Sequence, residues 1–193
     1  MGRPKRREEK VRHIRASILR AAAEVFAANG YEGASMAAIA KAAGYSAPSL
    51  YSYFEGKRAM FDALADGIVE DLEELLARKL PDGLGLAVRL ELVLRNELRW
   101  VEEHRAALIA LTQRVPDGGP KVKRSPDFVQ LSIDRYVQVL EEHTDEFEAT
   151  CHEAAYLLWG IIQGAFQQWI RESPGESLEE AAPLIVKRFL AAV

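Results

Sequence analysis

Apolar residues recur at helical spacing along nearly the whole of this 193-residue chain, and no stretch sustains the alternation of a strand. That periodicity narrows the fold more than any other feature, and the expectation is an all-α chain of about nine helices. In the first helix Ile14, Ile18, Ala21, Ala22, Val25 and Phe26 share a face, with Asn29-Gly30 supplying a left-handed stop. Ser35 is placed to cap a short Ala-rich helix, "MAAIAKAAG", which Gly44 ends. Ser46 caps the next, whose first turn holds Pro48, where a missing N–H costs nothing. Three helices of about 15, 8 and 8 residues, the last two joined by a tight turn, describe a helix-turn-helix unit.

Further along, Phe61, Leu64, Ile68, Leu72 and Leu75 stripe a fourth helix that ends near Pro81-Asp82-Gly83. A fifth runs from about Leu84 to His104 and a sixth from about Arg105 to Arg114. "VPDGGPKVKRSP" reads as a loop, and Ser125-Pro126 opens a seventh helix from Asp127 to about His143. The eighth is expected from Thr144 to about Glu172. The ninth opens at Ser177-x-x-Glu180, a capping box, and Pro183 either bends it or marks a late start. The expected domains are 1–56, a helix-turn-helix domain with a basic arm, and 57–193, a helical domain.

Charge divides the chain in the same way. The formal net charge is −4, yet residues 1–60 carry eleven Lys and Arg against five Glu, while the other 133 residues carry 14 Lys and Arg against 24 Asp and Glu. A basic first part suits a polyanion partner, and an acidic remainder suits another task. The single cysteine, Cys151, has no intrachain partner, "MGRPKRREEK" lacks the apolar core of a secretory signal, and the longest apolar stretch, residues 154–162, is too short for a membrane span. A cytoplasmic protein without membrane attachment is expected.

Catalysis is not expected either. His13, His104, His143 and His152 form no i, i+4 pair, and no glycine-rich phosphate loop, nucleophile elbow or dinucleotide fingerprint occurs. Neither a metal nor a cofactor is expected.

The segment "YSAPSLYSYFEGK" (residues 45–57) is too aromatic for a solvated face and too hydroxylated for a core. It fits the second helix of a helix-turn-helix, whose leading turn enters the major groove while its neighbours hold phosphates. Ser46, Ala47, Pro48 and Ser49 make a narrow leading turn, with Ala47 and Pro48 able to meet thymine methyl groups. Tyr51 and Tyr53 carry hydroxyls at phosphate reach, Lys57 adds a charge, and Leu50 and Phe54 face the core. In "GRPKRR", ahead of the first helix, Arg3, Lys5, Arg6 and Arg7 are expected to contact the minor groove or phosphates. Lys10 and Arg12 fit such contact or a solubilising tail equally.

Arg15, Ile18-Leu19, Ala22, Val25-Phe26-Ala27, Gly30-Tyr31, Ala34-Ser35-Met36, Ile39-Ala40, Ala43-Gly44, Ser46, Leu50-Tyr51, Tyr53-Phe54 and Lys57 together resemble the N-terminal domain of TetR-family transcriptional regulators. The resemblance covers about the first third of the chain. The family's usual threonine before the second helix is Ser35 here, which keeps the cap and its phosphate-directed hydroxyl. Its common valine after the turn glycine is Tyr45, which either adds a DNA contact or widens the turn packing. The resemblance implies a homodimer that represses from a palindromic double-stranded DNA operator and is released by a small-molecule effector, with 57–193 as the helical effector-binding and dimerisation domain. Two alternatives stand beside it: a helical carrier or enzyme without DNA binding, and a ligand-independent activator.

In the acidic part, the eighth helix has an apolar arc too wide for one neighbour. Trp159, Gln163, Phe166 and Ile170 form one stripe; Leu158, Ile162, Ala165 and Trp169 form the next. Burying one stripe within the subunit and the other against a twin satisfies both. The resemblance implies a dimer interface from the last two helices, here Leu158, Ile162, Ala165 and Trp169 with Leu178, Ala182, Ile185 and Phe189. An effector site should be largely apolar with a few polar groups, and Trp100, His104, Tyr136, Trp159, Gln163 and Phe166 are its candidates, each equally able to serve as core. Their aromatic content favours a hydrophobic or flat effector.

Overall fold

The computed structural model describes residues 3–112, 128–146, 148–172 and 177–193. The described residues form nine α-helices and two 3-10 turns, with no strand. The helices are α1 (Arg3–Gly33), α2 (Met36–Ala43), α3 (Ala47–Tyr51), α4 (Lys57–Leu76), α5 (Leu86–Glu103), α6 (Arg105–Thr112), α7 (Phe128–Glu141), α8 (Cys151–Glu172) and α9 (Ala182–Leu190). The 3-10 turns are Thr144–Glu146 and Leu178–Ala181. No helix among the described residues is long and apolar enough to cross a membrane. The loop "VPDGGPKVKRSP" and the Ser125-Pro126 helix start lie outside the described residues.

Several boundaries differ from expectation for identifiable reasons. The basic segment does not precede the first helix; α1 begins at Arg3 and includes it. Pro4 sits in that first turn, where its fixed φ suits a helix start, and the Lys, Arg and Glu that follow are good helix formers. At the other end Gly30 breaks the helical run with φ 70° and ψ 167°, the positive φ anticipated for Asn29-Gly30. The eighth helix starts at Cys151, not Thr144, because a capping box forms at Thr150: its Oγ1 accepts from the Glu153 N–H at 3.3 Å, and Glu153 Oε2 accepts from the Thr150 N–H at 3.0 Å. The box expected at Ser177 does not form. Instead Glu102 on α5 accepts from the Ser177 hydroxyl and the Leu178 N–H, both at 3.0 Å, and α9 begins late, with Pro183 in its first turn.

The chain packs as two compact units. The first contains α1, α2, α3, α4 as far as Ile68, and α6. Its core brings together Ile18, Ala22 and Phe26 of α1, Ile39 of α2, Leu50 of α3, and Met60, Phe61, Leu64 and Ile68 of α4. Phe26, Tyr31 and Phe61 meet ring to ring at 5.2–5.8 Å. This unit extends past residue 56, because the start of α4 belongs to that core.

The second unit contains the rest of α4, then α5, α7, α8 and α9. Leu90, Leu94 and Leu98 of α5, Ile133, Tyr136 and Leu140 of α7, Ala154 and Leu158 of α8, and Ile185 and Phe189 of α9 are buried together. Each large apolar side chain so buried contributes roughly 1.5–3 kcal/mol. Arg99 forks onto Glu179 with two hydrogen bonds of 2.7 Å, fastening α5 to the turn before α9.

This packing reassigns the stripe expected to face a twin. Leu158, Ile162 and Trp169 of α8, with Leu178, Ala182, Ile185 and Phe189, are buried in the chain's own core, and Ala165 packs against it. The reason is that α7, the turn before α9 and α9 itself pack against α8. The exposed side of α8 carries Tyr156, Leu157, Gly160, Gly164 and Gln167 instead.

Candidate nucleic-acid interface

The turn between α2 and α3 is built by three local devices. Ser35 caps α2, its Oγ accepting from the Ala38 N–H at 3.1 Å. Gly44 ends α2 at φ 74°, ψ 26°, a left-handed conformation that a Cβ disfavours, and the Tyr45 N–H returns to the Ala40 carbonyl at 2.9 Å. Ser46 then caps α3: its Oγ accepts from the Ser49 N–H at 3.3 Å and lies 2.7 Å from the Ser49 hydroxyl. Leu50 and Phe54 are buried, as anticipated.

What remains on the surface is the set of groups singled out from the sequence. Ser35, Tyr45, Ser46, Pro48 and Tyr51 are exposed, Tyr51 to 56%, while Ala47, Ser49, Tyr53 and Lys57 are half-buried. Arg6 and Arg7 are exposed on α1. The side chains of Arg3 and Lys5 lie outside the described residues. The surface offers a small leading turn, phenolic hydroxyls and guanidinium groups. Such groups suit hydrogen bonding to anionic oxygens.

Two cations here do more than was read from the sequence. Lys57 donates to the Tyr31 carbonyl at 2.7 Å and, at 3.5 Å, to that of Glu32, with its ammonium 4.4 Å from the centre of the Tyr31 ring. It therefore closes the end of α1 across the chain, leaving one N–H to point elsewhere. Arg15 donates to the Tyr53 carbonyl and stacks its guanidinium 4.0 Å over the Phe54 ring. Arg15 stood out in the sequence only as part of the resemblance, since a partner 38 residues away leaves no local signal.

The expected effector residues divide between the two units. Trp100, Tyr136, Trp159, Gln163 and Phe166 belong to the second unit, whereas His104 belongs to the first. Trp159, Gln163 and Phe166 are half-buried along α8, and Phe166 stacks on Trp169 with centroids 6.3 Å apart. Tyr136 is fully buried, its hydroxyl donating to Glu97 Oε2 at 2.5 Å, and Ser132 donates to Glu97 Oε1 at 2.7 Å. Glu97 is only 4% exposed, and burial raises its pKa above the usual carboxylate range against the opposing pull of these two donors. The sequence held a signal for it: Glu97 falls three residues after Leu94, four after Val93 and seven after Leu90, on the apolar stripe of α5.

Comparison with known proteins places these observations. Residues 18–64 match the family "Bacterial regulatory proteins, tetR family". Over 64 residues, 33% of this chain, the sequence is 44% identical to the HTH-type transcriptional regulator UidR of Escherichia coli, and the match spans 31% of that protein's length. The fold resembles SmeT, the multidrug efflux pump repressor of Stenotrophomonas maltophilia, solved in complex with triclosan (TM-score 0.69, 22% identity, 93% of this chain and 91% of that one). It also resembles the transcriptional regulator FadR of Bacillus subtilis in complex with stearoyl-CoA (TM-score 0.67, 18% identity, 92% and 98%). At those identities the two structures speak to the fold.

Proposed function

We propose that this chain, whose N-terminal domain belongs to the TetR family, is a homodimeric transcriptional regulator that represses from a palindromic operator and is released by an apolar effector. The observation that carries the reading is the surface of the first unit: a capped, five-residue α3 with a small leading turn, flanked by exposed hydroxyls and guanidinium groups. Ala47, Pro48 and Ser49 read base edges, and Tyr45 and Ser46 border them. Ser35, Tyr51, Tyr53 and the free N–H of Lys57 hold phosphates, with Arg3, Lys5, Arg6 and Arg7 adding contacts from the start of α1.

The effector is a hydrophobic or flat molecule bound in the second unit. Support comes from the half-buried aromatic and amide groups of α8, Trp159, Gln163 and Phe166, and from the ligands named for SmeT and FadR, the aromatic triclosan and the long acyl chain of stearoyl-CoA. The twin packs on the exposed side of α8 and α9, where Tyr156, Leu157 and Leu184 lie open and a Cβ at Gly160 or Gly164 would meet nothing within 4 Å. Because α4 supplies residues to both units, effector binding acts on the DNA-reading unit through it. A coupling of about 1–3 kcal/mol weakens operator binding about 5- to 150-fold. The reading places the protein in the cytoplasm, where it acts as a regulator without catalysis.

A gel shift on DNA flanking the protein's own gene tests this, followed by a screen for apolar compounds that abolish the shift. A sequence-selective, salt-sensitive shift is expected. Binding that ignores sequence, or none at all, overturns the proposal in favour of a helical carrier.

A further inference from the structure

We infer that Arg15 is a positioning residue for DNA reading: it sets the orientation of α3 from inside the first unit and does not itself contact a phosphate. This rests on the proposal that α3 reads DNA. Helix α3 is five residues long, too short to hold its own direction, so its aim depends on what grips its two ends. At its start the grip is local, through the Ser46 cap. At its end the chain leaves through Ser52, Tyr53 and Phe54, with the Tyr53 and Phe54 N–H groups both returning to the Leu50 carbonyl at 2.9 and 3.0 Å.

The Tyr53 carbonyl is taken by Arg15 of α1, whose guanidinium carbon also lies 4.0 Å from the centre of the Phe54 ring. One side chain thus fixes both the carbonyl and the ring of consecutive residues, a two-point hold that defines a rotation as well as a position. An Arg is suited to this because its planar fork donates along its edge while its face stacks on an aromatic ring. Half-buried and engaged with a carbonyl and a ring, the guanidinium serves the geometry of the unit rather than a phosphate. Lys57 holds the end of α1 by similar means, with a carbonyl and the Tyr31 ring. The first unit therefore spends two of its cations on internal geometry.

The test compares wild type with Arg15→Gln and Arg15→Lys. A duplex selected by the wild-type protein from a random library serves as specific DNA, and the unselected pool serves as non-specific DNA. The specific-to-non-specific affinity ratio should fall roughly tenfold or more in Arg15→Gln, the scale of one charge-assisted hydrogen bond, with partial recovery in Arg15→Lys. A loss of folded protein alone lowers both affinities and leaves that ratio unmoved. The slope of log K against log salt should stay as in wild type. Amide hydrogen exchange, measured without DNA, should accelerate at Tyr53 and Phe54 relative to Ile39 in α2.

A salt slope shallower by about 1.8 for the dimer, with the ratio kept, means that Arg15 holds a phosphate in each subunit and overturns the inference. Wild-type ratio and wild-type exchange in Arg15→Gln overturn it as well. Failure of the wild-type protein to select any sequence sinks the DNA-reading proposal itself, a separate result from either of these.

Discussion

A carboxyl group enclosed by leucines and a tyrosine is stable only if it is neutral or well hydrogen-bonded, and Glu97 shows how that tension is carried by two helices. Its two donors both come from α7, so the group fastens α5 to α7 while burial favours its protonated form. Because its folded pKa lies above the ordinary value of 4.5, its stabilising effect is complete below that value and is lost as pH rises through the folded pKa. Glu97→Gln keeps an acceptor and removes the charge. It is expected to match wild type near pH 4 and to exceed it at pH 8, in denaturant titrations at both pH values. Parallel pH curves for the two proteins contradict this account. Tyr136→Phe acts the other way, costing about 1–3 kcal/mol by leaving Glu97 one donor short. Glu97 was legible in principle from its register on α5, whereas the Arg15 hold on Tyr53 joins residues far apart in sequence and is visible only after folding.

At the scale of the element, legibility followed the range of the forces. Ser35, Gly44 and Ser46 act on groups within a few residues, and each cap or stop forms as their chemistry required. The box at Ser177 does not form; Glu102, brought in by tertiary packing, accepts from the Ser177 hydroxyl and the Leu178 N–H instead. Periodicity also marked the arc of α8 as too wide for one neighbour, but could not say which stripe turned inward, since both are apolar. Gly44 carries a prediction of its own. Gly44→Ala places a Cβ on a left-handed residue at a cost of about 1–2 kcal/mol. Since the turn joins α2 to α3, DNA affinity should fall further than a loss of folded protein explains, when thermal melting and DNA titration are compared on one preparation. Equal losses in the two measurements contradict the role given to this turn.

At the scale of the whole molecule, the division of charge corresponds to two compact units, and the proposed function assigns a partner to each. On that proposal the protein acts as a dimer, because a palindromic site demands two recognition helices about 34–36 Å apart. Leu184 is 49% exposed and Tyr156 53%, so Leu184→Glu with Tyr156→Arg should leave the subunit's melting temperature nearly unchanged. The pair should convert the protein to a monomer in sedimentation at micromolar concentration and abolish operator binding; a persisting dimer places the interface elsewhere. The central claim is that the first unit holds DNA through phosphates while α3 reads its sequence. It is tested most directly by measuring affinity for a selected duplex and for the random pool across a range of salt. If each subunit neutralises about four phosphates, both should fall with a slope near −7, with the selected duplex palindromic and bound far more tightly. A slope near zero, or equal affinity for the two DNAs at every salt concentration, contradicts it.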